Sequence, residues 1–441
     1  MSLQHSPQYP LAVKIAEKLH QKGFIAYFAG GCVRDDLMGK EAHDIDIATT
    51  ASPDQVEALF ERTVPVGKQF GVMLVLENDI PFEVATFRTE GGYTDGRHPS
   101  FVHFSRPEED AKRRDFTVNG LFYDPREGKV IDFVGGGEDL KKGIIRAIGD
   151  PYERFEEDKL RLLRAVRFAS TLGFKIEEKT WKAVCELAPK IHQVSPERIR
   201  DELVKIFTRE HAGHGFQLLS ESGLMKEILP EIEIMKGVEQ QPEHHPEGDV
   251  FVHTHLLMEK LKSSSVTLAF GALLHDVAKP KTYEVRNGKI TFYNHAHLGA
   301  LMTKDIMKRL RFSNEEIRNV AEAVENHMKF ADVQKMRSGK LKMFLSRPTF
   351  MEELELHRID CLSCHGKLDN YEFLQNKLKE YEHEELQPKA LVNGHDLQAL
   401  GMKPGPEMKT VLETLYEAQL EKQFSSKEDA LAHAKKIIPK P

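Results

Sequence analysis

A chain of 441 residues is too long for one ordinary core, and its length points to two to four domains. With 40% apolar and 30% charged residues it has the balance of a soluble globular protein, and no apolar run is long enough to span a bilayer. A net charge of −7 excludes a global positive field for nucleic acid but leaves room for local basic strips, such as Lys112-Arg113-Arg114 and the series Arg161, Arg164, Arg167.

The opening, MSLQHSPQYP, lacks a basic stretch followed by an apolar core, so no secretory signal is expected and the expected compartment is the cytoplasm. Strand-like runs at 24–30 and 44–49 flank a helix-like stretch, and strand patterns return at 72–76 and 82–87. Residues 89–100, TEGGYTDGRHPS, read as a mobile loop. Runs at 130–134 and 144–148 close a mixed α/β head. Asp150-Pro151 marks the change to a helical pattern, because Pro favours an extended residue before it and suits a helix start. Later breaks fall at QQPEHHPEGD (240–249) and near 366–370. The expected domains are 1–150, 151–245 and 246–368, with a helical tail over 369–441. The four cysteines (Cys32, Cys185, Cys361, Cys364) make no disulfide framework. Cys361 to His365 matches the C-x-x-C-H spacing of haem attachment, but a five-residue pattern with two free positions is weak, and structural use is expected.

Asp44-Ile45-Asp46 is the central feature of the head. In a strand, residues i and i+2 share a face, and two carboxylates so placed repel unless a cation lies between them. Mg²⁺ fits, since it takes hard oxygen ligands from carboxylates and substrate phosphates. Nucleotidyl transfer needs such an arrangement, with one metal at a 3′-hydroxyl and another on the triphosphate. Upstream, Gly30 and Gly31 can let backbone N–H groups approach phosphates, and Arg34 can clamp a phosphate oxygen. Glu83, in the strand-like PFEVATFR, is a candidate third carboxylate.

The segments GGCVRDDLMG and HDIDIAT, with AKRRDFTVNG (111–120), DFVGGGEDLKKGIIRAIGDP (132–151), FEEDKLRLLRAVRFASTLGF (155–174) and SPERIRDEL (195–203), together resemble the bacterial-type tRNA nucleotidyltransferases and their poly(A) polymerase relatives. The resemblance covers the first 210 residues nearly without interruption. It implies an α+β fold with a polymerase-β-like head and an all-α neck and body. It implies addition of CCA, or its terminal A, to tRNA 3′ ends from CTP and ATP. By this resemblance Asp44 and Asp46 hold catalytic Mg²⁺, and Gly31 and Arg34 contact the nucleotide. Arg113, Arg114, Asp115 and Asn119 line its sugar–phosphate side.

Glu157-Asp158-Lys159-Leu160-Arg161 matches the family's EDxxR template motif. On a helix Asp158 and Arg161 are i and i+3 neighbours. Cytosine and adenine both present an amino donor beside a ring-nitrogen acceptor, which an Asp acceptor and an Arg donor match. Uracil and guanine invert that pattern, and a buried polar mismatch costs about 1–3 kcal/mol per group. Arg164 and Arg167 are carried over as nucleotide or phosphate contacts. The loop at 89–100 resembles the family's flexible loop, and its full length argues against CC-only addition.

Residues 250–365 hold a second cluster. The order His255, His275-Asp276, His295, His327, Asp360 resembles the HD phosphohydrolases, an all-helical metal-dependent fold. That resemblance implies His255, His275, Asp276 and Asp360 as ligands of a divalent transition metal, with His295 and His327 accessory, and leaves His253, His244 and His245 unassigned. A phosphatase or phosphodiesterase role on tRNA ends and a regulatory or vestigial site both stay open. So do full CCA against A-only addition, oligomeric state, and the rival readings of a poly(A) polymerase, a non-catalytic RNA-binding protein, or an enzyme whose HD centre is its principal activity.

Overall fold

The computed structural model describes residues 3–41, 44–91, 101–243, 245–382, 386 and 388–438. Most of the loop expected at 89–100, together with His43 and His244, lies outside the described residues. The chain packs as two compact units, Met1–Glu233 and Ile234–Pro441. Residues 234–245, grouped with the neck on sequence, thus pack with the second unit. No described helix is long and apolar enough to cross a membrane.

The strands of the first unit's head are β1 (Ala26–Ala29), β2 (Ile47–Thr49), β3 (Thr63–Gly67), β4 (Val72–Glu77), β5 (Ile80–Thr86), β6 (Arg88–Gly91), β7 (Phe101–Phe104), β8 (Leu121–Asp124) and β9 (Lys129–Asp132). Seven of them form one sheet in the order β3-β4-β5-β2-β1-β8-β9, and β6 pairs with β7 apart from it. Only β2 and β5 run parallel within the sheet, with Ile47 opposite Val84. Alternation decides which side chains go inward. On β5, Phe82, Val84 and Thr86 are buried while Glu83 is exposed. Phe28, Ile47, Met73, Val75, Phe82 and Tyr123 build a core that the Tyr9–Gln21 helix covers with Ile15 and Leu19.

The 44–49 run is a strand only from Ile47, yet Asp44 and Asp46 keep the strand alternation, exposed on either side of buried Ile45. Residues 144–148 do not join the head sheet. Ile144–Ile145 pairs with Lys175–Ile176 in a separate two-stranded sheet that ties the head to the helices after it.

Helices take over at Pro151, where the Asp150 carboxylate caps the N–H groups of Tyr152 and Glu153. The Leu160–Leu172 helix is the hub of this region, packed on the Pro196–Phe207 and Ala212–Glu221 helices.

Among its described residues the second unit is helical apart from one hairpin. Its central helix, Val266–Leu274, is apolar on all sides and accordingly buried. The helices Val250–Lys260, Asn314–Asn326 and Phe350–Ser363 pack around it. An all-α body was the expectation; the hairpin Tyr283–Arg286 with Lys289–Phe292 breaks it. Its turn, Asn287-Gly288, takes positive φ at both residues (51° and 76°), the chemistry that two-residue hairpins favour. Residues 392–434 carry a hydrophobic cluster of their own.

Gly215 sits where the Ala212–Glu221 helix meets its neighbours. A Cβ there would clash with Ile206 Cγ2 and lie 2.8 Å from Ser170 Oγ. The helix-propensity gain of Gly215→Ala, about 1 kcal/mol at most, is smaller than the about 1–3 kcal/mol cost of overpacking. The variant should therefore unfold at lower urea concentration than the wild type in a circular-dichroism titration, and equal or greater stability would contradict this packing.

Candidate active site and metal centre

All fourteen residues of the first unit given a site role on sequence line one cleft of about 800 Å³. Its floor is acidic. The Asp46 carbonyl accepts from Ala29 N–H at 3.0 Å, which locks the aspartates to the end of β1. The parallel register that sets Ile47 against Val84 brings Asp46 beside Glu83. Although part of Asp46 reaches solvent, desolvation by the surrounding cleft pushes its carboxyl up to about 6; Glu83 and Asp44 add to the rise and Arg114 opposes it. Asp44, Asp46 and Glu83 line the same cleft, and hard carboxylate oxygens are the donors that Mg²⁺ prefers, so the chemistry of these residues fits the metal.

The opposite wall is cationic and held by a chain of hydrogen bonds. Arg34 donates from Nη1 to Asn119 Oδ1 at 2.7 Å, and Asn119 donates from Nδ2 to Asp115 Oδ1 at 3.1 Å. Asp115 Oδ2 accepts from Arg164 Nε and Nη2 at 2.8 and 2.5 Å. Burial alone would raise the Asp115 carboxyl, but Arg164, Asn119 and the Phe116 N–H outweigh it and hold it well below the usual carboxylate range. The guanidinium groups of Arg34, Arg164 and Arg167 lie 5.5, 5.3 and 3.7 Å from the Phe168 ring centroid. Arg167 is also ion-paired with buried Glu202. Arg113 and Arg114 share Asp110, itself 1% exposed, at 2.8 and 3.1 Å. Gly30 turns β1 into the Gly31–Leu37 helix at φ 73°, where a Cβ would press on Arg114 Nη1 at 3.0 Å. The Gly30 N–H is already committed to the Leu121 carbonyl at 3.0 Å, so this glycine supplies the turn rather than a phosphate contact.

Asp158 and Arg161 are not the helix-surface pair that their spacing suggests. Asp158 lies in extended backbone (φ −143°, ψ 106°) between the Pro151–Glu157 and Leu160–Leu172 helices. Its carboxylate receives Arg198 through Nη1 and Nη2 at 3.2 and 2.7 Å. Arg161 spends Nη1 on Glu157 Oε2 (2.6 Å) and the Arg154 carbonyl (2.8 Å). Each is fixed by a third residue, and both face the cleft. Sequence reasoning missed Arg198, Lys205 and Arg209, which extend the cationic wall. Positions 198, 202 and 205 fall on one helical face, which was the signal.

In the second unit, the buried central helix delivers His275 and Asp276 into a set of converging side chains. His275, His295 and His327 each turn Nδ1 onto the carbonyl three residues earlier, at 2.9, 2.8 and 2.6 Å. With Nδ1 donating there, the Nε2 lone pairs are directed inward, as metal-ligating histidines require. From Asp276, His275 Nε2 is 3.2 Å away and His295 Nε2 3.5 Å. Burial, then His275, pushes His327 down to about 3, so its imidazole is neutral. His275 Nε2 is buried and makes no hydrogen bond among the described residues. This orphaned atom and the donor set fit a divalent transition metal.

The structure brings His253, not the expected His255, into this cluster. His253 Nε2 lies 3.0 Å from Asp360, whereas His255 points elsewhere, 3.9 Å from Glu259. The buried stripe of the Val250–Lys260 helix is Val250, His253, Thr254, Leu257, and His255 falls off it; helical periodicity was the missed signal. Glu247 stands behind His253, 2.7 Å from Nδ1. Against the downward pull of burial, Asp360 and Glu247 push His253 up to about 9, so this point favours positive charge. Cys361 and Cys364 are free thiols pushed up to about 12, chiefly by burial.

Three family models match the chain. A poly A polymerase head domain covers residues 26–146, a probable RNA- and SrmB-binding site of polymerase A covers 173–235, and an HD domain covers 243–363. The chain is 48% identical over 208 residues to a CCA-adding enzyme of Leuconostoc mesenteroides (47% of this chain, 52% of the relative). It is 50% identical over 200 residues to one of Enterococcus faecalis (45% and 49%). It spans about half the length of the curated relatives it matches. Among solved structures, a Bacillus stearothermophilus CCA-adding enzyme in complex with CTP superposes with a TM-score of 0.73 at 25% identity, over 98% of both chains. A Thermotoga maritima CCA-adding enzyme complexed with tRNA shares the fold at a TM-score of 0.57 and 19% identity, over 98% of this chain and 96% of that one.

Carboxylates behind metal-binding histidines typically account for 10–100-fold in metal affinity. Glu247→Ala should therefore weaken Mn²⁺ binding by roughly that factor in isothermal titration, with an unchanged circular-dichroism spectrum. Unaltered affinity would remove Glu247 from the centre.

Proposed function

From the premise that the chain carries a head of the poly A polymerase head-domain family and an HD domain, we propose that it adds CCA, or the terminal A, to tRNA 3′ ends from CTP and ATP. The observation that carries the proposal is one cleft with an acidic floor and a cationic wall, closed on one side by Asp158 and Arg161. Asp44 and Asp46, with Glu83 beside them, would hold Mg²⁺, which when bound would activate the 3′-hydroxyl and neutralise triphosphate charge. Arg34 and Arg164, steadied through Asn119 and Asp115, are placed to hold phosphate and sugar oxygens. Arg113 and Arg114, anchored on Asp110, add charge above the floor.

Selection of C and A then rests on a protein edge. Asp158 accepts from the exocyclic amino group and Arg161 donates to the ring nitrogen. Arg198 on Asp158, and Glu157 on Arg161, hold the two in place before a base arrives. Such preorganisation strengthens discrimination, because a wrong base leaves buried groups unpaired. The expected division into head, neck, HD domain and helical tail is kept in this proposal, with the neck ending at Glu233 instead of 245 and the head and neck forming the transferase.

The second unit is proposed to be a metal-dependent phosphatase or phosphodiesterase, with His253, His275 and Asp360 as ligands and Asp276, 3.2 Å from His275, as the fourth. Lys279, 2.7 Å from Asp276, would meet a substrate phosphate.

The function is tested with tRNA transcripts ending at the discriminator base, at C and at CC, supplied with labelled CTP or ATP. Short defined additions are expected; a long A tail would indicate a poly(A) polymerase, and no addition would sink the proposal. His275→Ala should abolish phosphate-ester hydrolysis and leave most nucleotide addition intact, and parallel loss of both in a folded variant would contradict two separate sites. In single-turnover incorporation of all four nucleotides, Asp158→Ala should relax selection of C and A over U and G by about 1–3 kcal/mol, one lost polar match. If it slowed all four equally, Asp158 would be a structural residue.

A further inference from the structure

Behind the cleft of the first unit, one largely buried guanidinium joins the two places that a nucleotide must meet at once. Arg154 lies on the Pro151–Glu157 helix with its side chain 12% exposed, and it does not itself line the cleft. From Nη2 it donates to the backbone carbonyls of Arg113 and Arg114, the latter at 3.0 Å. These carbonyls lie at the end of the Pro107–Arg113 helix, where no further turn takes them up. From Nη1 it donates to Glu157 Oε2, the oxygen that also receives Arg161 Nη1 at 2.6 Å. The Arg154 carbonyl accepts from the same Arg161 nitrogen at 2.8 Å. Arg154 thus grips the segment that carries Arg113 and Arg114 with its side chain, and grips Arg161 through Glu157 and through its own carbonyl.

This double anchoring decides which nitrogens of Arg161 are left for a base. Nη1 is spent twice, and Nε and Nη2 have no partner among the described residues. A guanidinium is planar, so fixing one nitrogen by two bonds sets the direction of the others. A nucleoside triphosphate spans the cleft, with its phosphates at the arginines and its base at Asp158 and Arg161. The protein sets that span only if the two segments, 40 residues apart in sequence, are tied together. The Asp115–Arg164 pair makes the tie at the phosphate end; Arg154 makes it at the base end. We propose that Arg154 is a positioning residue that keeps the base-reading edge in register with the phosphate-holding arginines. A matched base then brings the triphosphate to the reacting position and a mismatched base does not. A misplacement on the order of 1 Å can cost about 100-fold in rate, so the effect falls on rate and selection more than on affinity. The inference rests on the nucleotide-addition reading of the cleft and deepens it with a specificity-determining residue that lies outside the cleft.

The test uses the full chain, Mg²⁺ and tRNA transcripts ending at the discriminator base and at CC. Single-turnover incorporation of CTP, ATP, UTP and GTP is followed over a concentration series, so that maximal rate and half-saturating concentration are read separately. Arg154→Lys keeps the charge, but an ammonium lacks the planar fork that reaches Glu157 and two carbonyls together. It should lower the maximal rate for C and A and cut their rate advantage over U and G by about tenfold, the scale of one hydrogen bond to a charged group. Half-saturating CTP should stay close to the wild-type value. Glu157→Gln, which keeps the shape and removes the charge between the two arginines, should cut the same advantage. The double variant should lose no more than the stronger single one, because both act through Arg161. If Arg154→Lys slows all four nucleotides alike, or raises half-saturating CTP with the rate ratios unchanged, Arg154 serves the fold or binding only, and the inference fails while the addition reading stands. Additive effects of the two substitutions, or an unchanged ratio in Glu157→Gln, would likewise break the link through Glu157. If the wild type adds no nucleotide, the addition reading falls and takes the inference with it.

Discussion

Three carboxylates lining one cleft at the end of a β-sheet are the constraint that the rest of the first unit answers. Desolvation in the cleft raises Asp46 to about 6, and neighbouring Glu83 and Asp44 add to that rise, so a cation at this point would ease the ionisation of Asp46. The fold leaves them no route of escape. Asp46 is tied to β1 through its carbonyl, and Glu83 is set by the parallel pairing of β2 with β5. A site held in this condition would bind a divalent metal by relieving repulsion as well as by forming new bonds.

The same logic runs in reverse on the facing wall. Arginines held close together would repel, so each is given an acidic or polar partner: Asp110 for Arg113 and Arg114, Asp115 for Arg164, Glu202 for Arg167, Asn119 for Arg34. Phe168 offers its ring to three of them. Burying charge costs several kcal/mol per ion unless it is paired, and the pairing here leaves the guanidinium groups at fixed places along the cleft. The Asp115–Arg164 pair also links the head to the Leu160–Leu172 helix within the unit. The second unit meets the matching problem with three imidazoles whose Nδ1 atoms are committed to backbone carbonyls.

Much of this was legible in the sequence because the acidic pair, the glycine turn and the arginines sit in ordered segments with local spacing. The misses have physical causes. Asp158 and Arg161 have helical spacing, but the chain breaks between two helices there, and Arg198, distant in sequence, takes the carboxylate. His255 was preferred to His253 because motif order was followed instead of the buried face of the helix. The hairpin beside the HD centre carried an Asn-Gly turn signal that the expectation of an all-helical body overrode. Ile144–Ile145 reads as a head strand, yet its partner, Lys175–Ile176, lies beyond two helices and could not be paired from local pattern alone.

The central claim is that the acidic floor and the cationic wall act together through a divalent ion. It is tested most directly by titrating CTP into the full chain with and without Mg²⁺, for the wild type and for Asp46→Asn. Mg²⁺ should tighten CTP binding in the wild type and have little effect in the variant, while metal-free binding to the arginine wall is retained or improved in Asp46→Asn, since one repelling carboxylate is gone. An equal Mg²⁺ effect in both proteins would show that Asp46 does not hold the ion and would contradict the account.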